Sequence, residues 1–67
     1  MRDPNRLKSF YEEVERIHRE YFPDWRFGQF LSNVVSWYGG DIFYFEEDRM
    51  LKLIYDFVKS MLNVEEV

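Results

Sequence analysis

The sequence contains no cysteine, only two prolines and three glycines, and a single histidine among its 67 residues. Without cysteine there can be no disulfide staple and no thiolate metal site. Three scattered glycines cannot form a glycine-rich phosphate loop. No apolar run approaches the ~18 residues that a membrane-spanning helix needs. The opening "MRDPNRLKSF" lacks the apolar centre of a secretory leader, so a cytoplasmic protein with no membrane partner is expected. Excess positive charge is missing too: nine Lys and Arg face thirteen Asp and Glu, a net charge of −4. Binding to nucleic acid is driven largely by cationic side chains displacing counterions, so a nucleic-acid partner is not expected.

Aromatic rings are plentiful instead. Seven Phe, five Tyr and two Trp make up 21% of the chain, and many cluster in "WRFGQFLSNVVSWYGGDIFYFEED", residues 25–48. Each ring can bury on the order of 150–250 Å². A domain this small buries only roughly 60% of its unfolded surface, so its core cannot enclose every ring. The charge is also uneven. Residues 1–26 carry six basic and six acidic side chains, whereas residues 39–67 hold the whole excess of negative charge.

Periodicity predicts an all-α fold, a compact domain of three helices spanning residues 1–67. In "PNRLKSFYEEVERIHREYF", Leu7, Phe10, Tyr11, Val14, Ile17, His18 and Tyr21 recur every three or four residues. Asp3 suits the N-cap and Pro4 the first helical position. The opposite face offers Lys8/Glu12, Glu12/Arg16, Glu15/Arg19 and Arg16/Glu20 at i, i+4 spacing, and Pro23 ends the helix. Asp24 is a candidate cap for a second helix over "WRFGQFLSNVVSWY", striped by Phe27, Phe30, Leu31, Val34, Val35 and Tyr38 and closed by Gly39. Gly28 lies in its first turn, where close approach of another backbone would explain a glycine. Ile42–Phe45 reads as an extended aromatic connection wedged between the second and third helices. The third helix is expected over residues 47–62, with Glu46 as N-cap, Glu47 and Asp48 in the positive first turn, and a Phe45–Met50 staple. Its stripe is Met50, Leu51, Ile54, Phe57, Val58 and Met61; Asn63 stops it, and "VEEV" is expected to fray.

The chemistry-bearing patterns are weak. Glu15 and His18 have the Glu-x-x-His spacing of di-iron bundles, but a second copy and two further inward carboxylates are needed. Asp41, Glu46, Glu47 and Asp48 lack the alternating spacing of a calcium loop. None of Ser9, Ser32, Ser36 and Ser60 sits in a nucleophile turn. Neither a cofactor nor catalysis is therefore expected. What remains is the aromatic surplus, because interfaces are enriched in Trp, Tyr and Phe. Trp25, Trp37 and Tyr44 fit poorly on the helical stripes. They are the candidate partner-binding residues, with Glu46, Glu47 and Asp48 as a polar rim. The expected role is a small acidic protein-interaction module. Two alternatives stand beside it: an acidic inhibitor from a mobile element that mimics nucleic acid in a basic groove, and a structural homodimer.

The blocks "RDPNR", "PDWRFGQFL" and "DIFYFEEDRML" resemble a family of short bacterial and phage-associated proteins of unassigned activity. Its members order Arg-Asp-Pro, then Pro-Asp-Leu-Arg-Phe-Gly-Gln, then Asp-x-Phe-Tyr before acids and a leucine-rich helix. Trp25 stands where leucine is usual. The resemblance covers residues 2–58 and implies a small helical domain. It also implies that Arg26, Phe27, Gly28, Gln29, Phe43 and Tyr44 belong together as a packed elbow.

Overall fold

The computed structural model describes residues 2–67. Three helices follow one another: α1 (Arg6–Tyr21), α2 (Phe27–Tyr38) and α3 (Glu47–Leu62), with no strand among the described residues. At 1.5 Å per residue α1 and α3 are each about 24 Å long and α2 about 18 Å. Arg6 pairs with Glu47 near the starts of α1 and α3, and Glu13 meets Tyr55 further along both. These two helices therefore run in the same direction, and α2 carries the chain back.

The helix ends follow local chemistry. Asp3 Oδ1 accepts from the Asn5 N–H at 2.9 Å, and the next three N–H groups donate to carbonyls three residues back. The first turn is thus wound tighter than an α-turn, and regular helix begins at Arg6, two residues later than Pro4. Asp24 does not cap α2. That helix starts at Phe27 behind an extended Arg26, with no side-chain cap. Gly39 closes α2 with φ +76°, donating to the Val35 carbonyl. At Gly40 a Cβ would come within 2.7 Å of the Tyr38 ring, so a larger residue there would require that ring to shift. Asn63 ends α3 in the left-handed region, at φ 54°. The turn lets Val64 and Val67 pack on the core instead of leaving the tail free.

Among the described residues, ten buried side chains form the core: Val14 and Ile17 from α1, Phe22 from the connection, Phe30 and Val34 from α2, and Met50, Leu53, Ile54, Phe57 and Val58 from α3. Half of them belong to α3, against which both other helices lie. Leu53, absent from the expected stripe, is buried, while Met61, one turn beyond Val58, is exposed. On the outer face of α1 the Lys8–Glu12, Glu15–Arg19 and Arg16–Glu20 pairs form. Arg16 does not pair with Glu12; it turns to Glu13 at 2.6 Å.

The connection after α2 is pinched, not straight. The Phe45 N–H donates to the Ile42 carbonyl, and the Asp41 carboxylate accepts from the Phe43 N–H. This turn directs Ile42 and Phe45 inward, where the Arg49 guanidinium covers the Phe45 ring at 4.6 Å. It throws Phe43 and Tyr44 outward, 77% and 87% exposed. They do not wedge between helices. Arg26, Phe27, Gly28 and Gln29 are exposed as well, so the six residues form no packed elbow.

No neighbour lies within 4 Å of a Cβ added at Gly28, so close backbone approach within the chain does not explain this glycine. With no clash and no positive φ, Gly28→Ala is expected to raise stability by about 0.5–1 kcal/mol. Thermal melts of dilute protein check this; an unchanged or lower midpoint contradicts it.

Candidate functional site

α1 and α2 both rest on α3 and scarcely touch each other. Their joint lies at one end, where the His18 ring stacks on Phe30 at 5.0 Å. His18 Nε2 is 2.6 Å from the Trp25 carbonyl oxygen. Only an N–H can donate to a carbonyl, so Nε2 carries the proton. Glu15, the other half of the Glu-x-x-His spacing, pairs with Arg19. His18 thus pins the loop before α2 to α1, and no cluster of three or more potential metal ligands occurs among the described residues.

From this joint onward the two helices leave an open groove of about 170 Å³. Val14, Phe30, Val34, Met50 and Ile54 form its floor, and Phe10 and Ile42 close it. Its rim is Tyr11, Phe27 and Leu31. Tyr11 and Phe27 are 60% and 55% exposed, although both fall on the apolar stripe of their helix. Phe27 is thus a rim residue, not a core one.

The composition of α2 explains why the groove is not covered from within. "FGQFLSNVVSWY" contains no charged side chain. A surface helix normally turns a charged face to water. Here only Phe30 and Val34 are buried, while Phe27, Leu31, Trp37 and Tyr38 remain exposed. Of these, Phe27 and Leu31 flank the groove, and exposed apolar surface depleted of charge is characteristic of the centre of protein interfaces.

The six residues singled out in the sequence are not gathered at this groove. Trp25 is half-buried, stacked on Phe22 at 4.3 Å and tilted against Phe57. Trp37 stands on the other flank of α2, edge-on to Phe57 at 5.9 Å. The only ring that Tyr44 meets among the described residues is Phe43. Glu46 pairs with Arg2 and Glu47 with Arg6, and a shallow depression bounded by Arg6, Ser9, Glu46, Glu47 and Asp48 lies at the start of α3. Helical spacing places Tyr11, Phe27 and Leu31 on apolar stripes, but it does not mark where the covered part of a stripe ends. The available signal was the missing charge of α2.

A second constellation holds α1 to α3. Glu13 accepts hydrogen bonds from Arg16 and from the Tyr55 hydroxyl. These bonds, that of Arg16 foremost, hold the Glu13 carboxyl below its ordinary value of 4.5. The folded chain then releases this proton more readily than the unfolded chain. The stability so gained is present above pH 4.5 and is lost as pH falls through the lower folded value. Glu13→Gln is expected to flatten this acid limb of the stability curve, as denaturant titrations from pH 6 down to pH 2 would show. An acid limb as steep as that of the parent contradicts the assignment.

No protein family, curated protein or solved structure matches the chain.

Proposed function

We propose that this chain is a non-catalytic protein-interaction module that docks through α2 and the groove beside it. The observation that carries this reading is the uncharged second helix, which leaves Phe27 and Leu31 exposed along an open apolar floor. Burial against a protein returns roughly 25 cal/mol for each Å² of apolar surface removed from water. A groove without charge also asks a partner to strip water from no ion.

An acidic nucleic-acid mimic has less support. It needs carboxylates that are free to meet a basic groove, and Glu46 and Glu47 already pair with Arg2 and Arg6. The two readings differ in their response to salt. Screening at about 1 M ionic strength reaches down to ~3 Å, so association through exposed carboxylates falls away there while apolar docking persists. The expected result is association that survives high salt and is lost in Leu31→Asp. Association that salt abolishes and Leu31→Asp leaves intact contradicts the docking reading.

A further inference from the structure

We propose that the occupant of this face is a second copy of the chain, the two α2 helices packing against each other across a twofold axis near Leu31 and Ser32. The inference builds on the docking reading above and names its partner.

A twofold interface uses one patch against itself, so that patch must supply both what projects and what receives. This face does so. Phe27 and Leu31 stand out from it, and the groove of about 170 Å³ opens beside them. Along α2 the residues Phe27, Gly28, Leu31, Ser32 and Val35 fall at i, i+1, i+4, i+5 and i+8, one continuous seam. The first four are exposed and Val35 is partly so. Gly28 and Ser32 are small enough to let a second helix approach closely, and nothing within the chain comes within 4 Å of a Cβ at Gly28.

The exposed area points the same way. A folded monomer of 8.4 kDa is expected to expose about 4,600 Å². This chain exposes 5,166 Å², an excess of about 550 Å² over that scaling. Specific interfaces begin near 1,200 Å² in total, or about 600 Å² per partner. Phe43 and Tyr44, which lie off the seam, share in that surplus, so the α2 face supplies part of what one side of such a dimer must bury.

Charge allows the pairing. Each copy carries a net −4, and most faces would set like charges against each other. The α2 seam carries none, so two acidic chains can meet there without bringing carboxylates together.

The test is sedimentation equilibrium of the whole chain from about 1 µM to several hundred µM, a span in which Kd values correspond to roughly −8 to −5 kcal/mol. The mass is expected to rise from 8.4 kDa toward twice that value. Ser32→Lys and Ser32→Glu each place like charges beside the axis and are expected to weaken the dimer at least tenfold. An equal mixture of the two sets opposite charges together and is expected to restore it. Ser32 is exposed, so both variants keep the fold, as their circular dichroism confirms. A parent that stays at 8.4 kDa throughout overturns the proposal, as do variants that dimerise like the parent or a mixture that stays monomeric. If the parent is monomeric and residue 31 still cross-links to a different protein in the cell, the docking reading stands and the second copy fails.

Discussion

Phe57→Ala is expected to abolish cooperative unfolding and leave the chain without a thermal transition. Phe57 is 1% exposed, and the rings of Phe22, Trp25 and Trp37 all lie against it, with centroids 5.7, 6.3 and 5.9 Å away. It therefore joins α3 to the loop after α1 and to the end of α2. Truncating a buried Phe to Ala costs about 3–5 kcal/mol in lost transfer free energy and cavity. A single core in a chain of this length rarely supplies more than about 3–5 kcal/mol in total, so the loss is as large as the whole stability. Phe57→Leu keeps more of the volume and is expected to lose less than Phe57→Ala and to retain a cooperative transition. Thermal melts of both variants by circular dichroism make the check. A Phe57→Ala chain that melts within a few degrees of the parent contradicts the central place of this ring.

Val34→Asp is expected to unfold the chain, whereas Leu31→Asp, three residues earlier on the same helix, leaves the monomer folded. Val34 is 1% exposed and lies in the floor of the groove. Among the described residues, no cation lines the groove to pair with a carboxylate there. An unpaired buried charge costs several kcal/mol, more than this domain holds in reserve. Leu31 stands on the rim at 37% exposure. An aspartate there can turn to water, and the cost to the monomer is expected to stay well below that at Val34. Urea titrations at low micromolar concentration separate the two, because association adds nothing to stability at that dilution. Equal destabilisation by both substitutions contradicts the assignment of α2's faces.

The three helices were legible because their ends are written locally. Gly39 and Asn63 both take the left-handed conformation expected of closing residues, and Glu46 precedes α3 with Glu47 and Asp48 in its first turn. The inner face of α1 was legible for a related reason: charges on its outer side fix the phase of the helix. The face of α2 was not. A helix with no charge gives its hydrophobic stripe no outer boundary, so Phe27 and Leu31 looked like core when they are rim. How far a stripe is covered depends on the angle between neighbouring helices, and that angle is a tertiary property. Ile42–Phe45 posed the opposite difficulty. Four apolar residues in a row suggest burial of all four, but one turn hydrogen bond sends Phe43 and Tyr44 outward. Trp25 and Trp37 were identified as lying off the stripes, and both lean on Phe57 from outside it.

The most direct test of the docking face is a photo-reactive residue placed at Leu31 in the source cell, compared with one placed at Lys52, an exposed position on α3. After irradiation, residue 31 is expected to form an adduct with a protein, its own second copy included, and residue 52 to form none. No adduct from residue 31, or equal adducts from both positions, would mean that the uncharged helix is not a docking surface.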